Sequence, residues 1–352
     1  MRKNWLVSLV LMLALSTVLV ACGGGGSETS SSESETTEPT SNEATQSETN
    51  TSDNGSYITD LQLGTGSTGG TYFPLGQEIA TVLNNNVTVE GFNVSAVSTG
   101  ASNDNLARIM REELQLGMSV HIPAQEAYKG EGEFEGIPVE NFGFMGHIYP
   151  EVMQVITLGS TGIESIADLK GKRVAIGPPG SGTQALAKAI LAAYGIQDGD
   201  YEAFEEGFGD AKNKLQDGQI EASFGLLGLP ASSIDELQAQ TNDVKFLEVT
   251  GDALATLEET TGYEGLEIPA GSYEWLQNPA QTITAYAVLV GSTSQISEEL
   301  GYEITKTLYE NYDQISHTQG RHMTIENVLN GSTDLPFHPG AEKYFKEIGV
   351  LK

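Results

Sequence analysis

Leu61-Gln62-Leu63-Gly64-Thr65-Gly66-Ser67-Thr68-Gly69-Gly70-Thr71-Tyr72-Phe73-Pro74 and Val174-Ala175-Ile176-Gly177-Pro178-Pro179-Gly180-Ser181-Gly182-Thr183 follow one design. Each begins as a short apolar strand, passes through a glycine-rich turn and enters a helix, which starts near Pro74 in the first case and runs over 184–194 in the second. Glycine lets the backbone turn where a side chain would clash, and the first N–H groups of a helix have no intrahelical acceptor. A helix N-terminus also carries roughly half a positive charge, so a carboxylate or phosphate is stabilised there. A chain that uses the device twice is expected to offer two anion-binding corners.

Outward from these turns, short apolar runs alternate with amphipathic stretches of helical length, the pattern of an α/β protein. Strands are expected at 58–63, 92–97, 116–120 and 142–145, with helices at 75–83 and 103–114. A second series places strands at 152–158, 173–176, 222–227 and 245–249, and helices at 184–194, 210–216 and 231–240. A strand at 282–290 and helices at 297–312 and 341–348 close the chain. The expected organisation is two lobes, one made of 57–151 with 286–352 and the other of 152–285, each a mixed sheet flanked by helices. Strands 152–158 and 282–290 carry the chain across and back as a two-strand hinge. Open α/β sheets bind ligands beyond the carboxyl ends of their strands, so two facing lobes share one cleft.

The first residues read as an export signal. Arg2 and Lys3 precede an apolar stretch from Trp5 to Val20 that ends in Ala21 and Cys22, which is the three-part pattern of a signal peptide spanning 1–21. Glycines and acids follow instead of the basic flank of a stop-transfer helix. Leu19-Val20-Ala21-Cys22 resembles the bacterial lipobox, and that resemblance implies lipidation of Cys22 and anchoring at the outer face of the cytoplasmic membrane; an ordinary signal peptide with an incidental cysteine is the alternative. Cys22 is the sole cysteine, so neither a disulfide framework nor a cysteine-based metal site is available. Residues 22–56 are mostly Gly, Ser, Thr, Glu and Asn, with one proline at Pro39 and no aromatic side chain. Such a segment buries too little apolar surface to order itself and is expected to be a disordered tether, roughly 30 Å from end to end.

The 48 acids against 17 bases, a net charge of −31, argue against a nucleic-acid partner, which requires clustered lysine and arginine. They argue equally against broad attraction to an anionic membrane surface. Net charge governs solubility and leaves a local site free to be electropositive. Both turns imitate nucleotide motifs. Gly64-x-Gly66-x-x-Gly69 satisfies the dinucleotide fingerprint, yet Glu90 sits in a polar turn where an acid closing a second strand is needed. Gly177 to Thr183 imitates a phosphate-binding loop but lacks the lysine that pairs with the β- and γ-phosphates. No nucleotide or other cofactor is expected.

Six segments then carry a resemblance along nearly all of 57–352. They are Thr68-Gly69-Gly70-Thr71-Tyr72-Phe73-Pro74-Leu75-Gly76, Ser98-Thr99-Gly100-Ala101-Ser102-x-x-Asn105-Leu106, Ser165-Ile166-Ala167-Asp168-Leu169-Lys170-Gly171-Lys172-Arg173-Val174, Gly180-Ser181-Gly182-Thr183, Ile268-Pro269-Ala270-Gly271-Ser272-Tyr273 and Pro336-x-His338-Pro339-Gly340-Ala341. In this order and spacing they resemble the binding proteins of TAXI-type TRAP transporters. The resemblance implies a two-lobed periplasmic-binding-protein fold of type II, a monomer that closes on its ligand, and a separate ion-coupled membrane permease. It also implies ligands of the class of glutamate, glutamine and dicarboxylates such as 2-oxoglutarate. Carried over by position, the site is Thr68, Gly69, Gly70 and Tyr72 of the first turn, Thr99, Gly100 and Ala101 after the second strand, and Ser181, Gly182 and Thr183 of the second turn. Hydroxyl and N–H groups donate to carboxylate oxygens there. For Ser181 and Thr183 the alternative is helix capping, for the glycines tight-turn geometry, and for Tyr72 core packing.

Ser119-Val120-His121-Ile122-Pro123 departs from the family's polar step, so His121 is a candidate donor to an anion, with a core or surface histidine as the alternative. Gly228, in Leu227-Gly228-Leu229-Pro230, is a candidate to line the cleft through its backbone, with simple strand termination as the equal alternative. Lys170, Lys172 and Arg173 precede a strand at its amino end and read as a solvated basic turn; His317 and His322 flank Arg321 without metal spacing. No metal is expected. No nucleophile elbow, zinc-protease helix or Cys–His pair is present, so an enzyme is not expected. An ABC-type or sensory binding protein of the same fold remains the alternative to a TRAP partner, and a neighbouring gene for a permease or for an ATPase separates them.

Overall fold

The computed structural model describes residues 57–352; the signal peptide, Cys22 and the rest of the 22–56 tether lie outside the described residues. In chain order the elements are β1 (Asp60–Gly64), α1 (Tyr72–Asn86), β2 (Asn93–Val97), α2 (Ser102–Met110), β3 (Leu116–Val120), α3 (His121–Lys129), β4 (Phe142–Leu158), β5 (Arg173–Ala175), α4 (Gly182–Ala193), β6 (Glu202–Phe204), α5 (Phe208–Gln216), β7 (Ala222–Leu227), α6 (Ser232–Thr241), β8 (Val244–Phe246), α7 (Gly251–Thr261), β9 (Glu264–Ile268), β10 (Ala280–Ser292), α8 (Glu298–Glu310) and α9 (Pro339–Glu347).

The strands lie in the order β2-β1-β3-β10-β4-β7-β5-β6, with β8 added to β4 and β9 to β10. At each end three strands run parallel, β2-β1-β3 and β7-β5-β6. The expected two mixed sheets are thus the two halves of one hydrogen-bonded sheet, joined where β4 and β10 pair antiparallel from Phe142↔Ser292 to Val152↔Thr284. Beyond that point the two strands diverge. β4 goes on to pair with β7 and β8, and β10 with β9.

The segments expected at 142–145 and 152–158 are therefore one strand. Gly146 and Pro150 read as a break, but both fall inside a ladder that absorbs them with register shifts at Ala287/Val288 and Leu289/Val290. Pro150 also lies just before the β7 ladder begins at Val152, where a missing N–H is tolerated. All but one residue of β4 is buried, as befits a central strand covered on both faces. Alternation along it divides the core: Val155 joins Val174, Leu186, Ile190, Phe224 and Ile283 on one face, while Ile156 joins Phe208, Leu215, Ile234 and Tyr273 on the other. A further cluster around Leu63, Leu75, Leu106, Met118, Phe144, Ile304 and Phe345 fills the half that contains β1.

Pattern reading passed over α3, α7, β6 and β9. Helix α3 follows β3 directly, with Val120 rather than a capping side chain before it and Pro123 in its first turn, so it reads as a strand end. Strands β6 and β9 are mostly exposed or half-buried and lack a clean apolar alternation. The Pro336-x-His338-Pro339-Gly340-Ala341 segment is a packing device. Phe144 N–H donates to the Pro336 carbonyl (2.7 Å) and His338 N–H to the Phe144 carbonyl (3.0 Å), while Gly340 abuts the α8 backbone at Gly301 and Tyr302.

Gly146 has φ 135°, and a β-carbon on it would run into the hydroxyl of Tyr309, which donates to the His147 carbonyl at 2.6 Å. Gly146→Ala is expected to lower unfolding free energy by about 1–3 kcal/mol through overpacking, beyond the backbone strain. A denaturant midpoint equal to the wild type's would show that the β4 bulge is not held as described.

Candidate functional site

Three helices, α1, α2 and α4, begin at the carboxyl ends of β1, β2 and β5 with their first residues on the wall of one cavity of about 50 Å³, and Phe208, the first residue of α5, also borders it. Tyr72 of α1, Ser102 of α2, Gly182 and Thr183 of α4 and Phe208 of α5 line it, with Glu151 of β4. First-turn N–H groups have no intrahelical acceptor, so those of Tyr72, Ser102, Gly182 and Thr183 are available to a ligand. No lysine, arginine or histidine is among the lining residues. Positive potential here comes from backbone dipoles. Ala101, immediately before α2, holds φ 73° and ψ −142°, a conformation that costs an L-residue of order 1–3 kcal/mol. The strained residue thus sits on the cavity wall.

The cleft is closed. Asn103 and Asp104 N–H groups donate across it to the Gly180 carbonyl (2.9 and 3.3 Å). The Gly228 N–H donates to Thr71 Oγ1 (2.9 Å), and Gln319 Nε2 donates to the Leu229 carbonyl (3.1 Å). Gly69 lies against the backbone of Gly209, where a β-carbon would collide. Its lack of a side chain is a condition of closure.

Glu151 is a functional candidate that pattern reading missed. It is 1% exposed, and Tyr149 Oη donates to its Oε1 at 3.2 Å. Burial pushes its carboxyl up to about 8, while the neighbouring Tyr72 and Tyr149 hydroxyls pull the other way. The Tyr72 hydroxyl is buried beside this carboxyl and has no hydrogen-bond partner of good geometry. Its ring meets Tyr149 edge to face at 6.2 Å. The available signal was one acid inside a 17-residue buried strand, since carboxylates are almost never buried without a reason.

Of the residues singled out in the sequence, Gly70, Tyr72, Ala101, Ser181, Gly182 and Thr183 line the cavity together. Thr68 and Gly69 lie outside it, in a shallow depression shared with Gly207 and Gly209. Thr99 Oγ1 is spent on the loop itself: it donates to the Thr65 carbonyl (3.0 Å) and accepts from Ala101 N–H (3.1 Å). Gly100 N–H donates to Asp104 Oδ2 (3.0 Å). His121 opens α3 away from the cavity lining. Its Nδ1 accepts from Tyr286 N–H (3.2 Å), and burial pushes its pKa down to about 4, so it is a neutral packing histidine. Gly228 serves the closing contact with Thr71. Lys170 pairs with Asp200 at 3.2 Å, and Arg173 forms an ion pair with Glu221. Both lie away from the lining.

The two hydroxyls of the second turn part company. Ser181 Oγ donates to the Pro178 carbonyl (2.7 Å) and accepts from Gln184 N–H (3.0 Å), so it caps α4. Thr183 Oγ1 accepts one long bond from Leu226 N–H (3.4 Å) and donates to no protein group among the described residues. Ser181→Ala is expected to cost about 0.5–2 kcal/mol of folding stability with a small change in affinity. Thr183→Val is expected to weaken anion binding roughly ten- to hundred-fold with little change in the unfolding midpoint. The reverse pattern in calorimetry and thermal melts would exchange the two roles.

Among solved structures, the chain is similar to the periplasmic binding protein BugD, with 12% identity and a TM-score of 0.52 over 83% of this chain and 98% of that one. It is also similar to PhnD1 from Prochlorococcus marinus in complex with methylphosphonate, at 10% identity and a TM-score of 0.49 over 83% of this chain and 99% of that one. The alkanesulfonate-binding protein SsuA from Xanthomonas axonopodis pv. citri matches at 15% identity and a TM-score of 0.44, covering 83% and 84%. The first likeness identifies the α/β arrangement as the two-lobed periplasmic-binding-protein fold. The model of the NMT1-like family matches residues 63–349, most of the sequence, and the chain belongs to that family.

Proposed function

We propose that this protein is an extracytoplasmic solute-binding protein that closes its two lobes over one small organic anion and delivers it to a TRAP-type membrane permease. The observation that carries the reading is the meeting of the first turns of α1, α2 and α4 at one small cavity with no basic side chain among its lining residues. Such a site solvates a compact anion with N–H groups. It lacks the volume for a nucleotide or a peptide in the closed form. The long β4–β10 ladder gives the lobes a common axis, and the cross-cleft bonds from Asn103, Asp104 and Gly228 form only when they meet. The TAXI resemblance favours glutamate, glutamine or a dicarboxylate such as 2-oxoglutarate, and a ligand bound by a monomer. We take the protein to be a carrier and not an enzyme, tethered through lipidated Cys22 to the outer face of the cytoplasmic membrane.

Calorimetry with glutamate, glutamine, 2-oxoglutarate and short dicarboxylates is expected to find one site per chain, and small-angle scattering a smaller radius on binding. Gly69→Ala should bind more weakly and show less contraction, because its β-carbon obstructs the approach to Gly209. Absence of heat with every compound, from well-folded protein, would remove the ligand class. Cys22→Ser should leave the membrane fraction with its affinity unchanged; continued membrane association of that variant would remove the anchor.

A further inference from the structure

An acid on the wall of an anion cavity poses a conflict that the protein has to resolve. Glu151 is fully buried, lines the same small cavity as the free N–H groups of α1, α2 and α4, and has no cation beside it. The titratable groups that face it are Tyr72 of α1, Tyr149 of β4 itself and, farther off, Tyr263 between α7 and β9. Burial raises all three phenols, so each is neutral at physiological pH. The Tyr149 hydroxyl is already donated to Glu151, and the buried Tyr72 hydroxyl beside it makes no hydrogen bond of good geometry. Two oxygens in a closed site, the Glu151 carboxyl and the Tyr72 phenol, therefore await a third group.

A ligand carboxylate placed next to an ionised Glu151 is repelled. Two like charges in one desolvated site repel, and one of them is neutralised. We propose that Glu151 is a specificity residue that enters the closed, anion-loaded state as a neutral carboxylic acid, so that each anion is captured together with one proton. The proton comes from solvent and rests on a Glu151 carboxyl oxygen; no other bond is made or broken. In that form the carboxylic O–H and the Tyr72 O–H both donate, to the ligand or to one another, and they extend the ring of backbone N–H donors. The empty closed site already holds its carboxyl at about 8 through burial, and the anion's charge raises it further. This inference deepens the proposed function and rests on the ligand's being an anion.

The sign follows from linkage. Above pH 8 the free protein carries ionised Glu151 and the loaded protein carries the acid, so binding takes up a proton and affinity falls as pH rises. The test is calorimetry of the purified protein with 2-oxoglutarate, which has no group titrating in this range, at pH 8 and pH 9 in two buffers of different ionisation enthalpy. Uptake of nearly one proton per anion is expected at pH 9, with a roughly fivefold weaker Kd than at pH 8. Glu151→Gln, which holds a neutral donor at every pH, should give the same Kd at pH 8 and 9 and the same heat in both buffers. Binding by the wild type without proton uptake overturns the proposal and leaves the anion carrier intact. So does a protein that takes glutamate, rejects 2-oxoglutarate and loses binding in Glu151→Gln, since Glu151 is then an ionised partner for the ligand's ammonium group. Failure of both compounds to bind the folded wild type removes the anion reading, and this proposal with it. The wild-type buffer comparison needs no variant, so a Glu151→Gln chain that folds poorly does not rescue the idea.

Discussion

The structure depends on the need of helix N-termini for something to hold. The starts of α1, α2 and α4 border one space, and their first N–H groups have no acceptor within their own helices. Water can serve them while the cleft is open. Once Asn103 and Asp104 have reached the Gly180 carbonyl and Gly228 has reached Thr71, the remaining donors face a cavity of about 50 Å³. An anion small enough to fill it satisfies the most donors in the least volume. The same arrangement supplies positive potential without lysine or arginine, in a chain whose net charge is −31.

Bringing the two halves together sets the remaining requirements. β4 and β10 pair through the middle of the sheet and diverge at Val152 and Thr284, so the two sets of turns face each other across a shared pair of strands. Approach at the cleft is backbone to backbone at Gly69 and Gly209, which is why the first turn carries glycine there. Ala101 keeps a conformation suited to glycine on the cavity wall. Strain of that kind persists only where surrounding contacts over-determine it, here the bonds of Thr99, Gly100 and Asp104 to the same loop. Glu151 lies where β4 borders this cavity, inside a strand buried along nearly its whole length.

Local chemistry made much of this legible. Strand–glycine–helix turns at Gly64–Thr71 and Gly177–Thr183 could be read because glycine and a following amphipathic run act over a few residues, and the exact expected strands 116–120 and 222–227 are found as β3 and β7. Six of the residues named from the turns line one cavity. His121 and Gly228 were read from their neighbours in the chain, but their partners, Tyr286 and Thr71, are remote in sequence. Thr99 and Ser181 offered hydroxyls to a ligand on paper. The Thr65 carbonyl of the first turn takes the Thr99 proton, and the Pro178 carbonyl of its own loop takes that of Ser181.

The sequence by itself determined the α/β alternation, the two strand–glycine–helix turns and the lack of a cysteine framework, because each follows from periodicity, glycine placement or composition within a short window. Only the tertiary structure decided that 142–158 is one strand, that the two turns close on a single cavity, and that Glu151 stands inside it beside Tyr72 and Tyr149. Which side chains share a space, and what water is excluded from it, depends on contacts between segments far apart in the chain. The ionisation of a carboxyl is governed by that exclusion, and no local pattern encodes it.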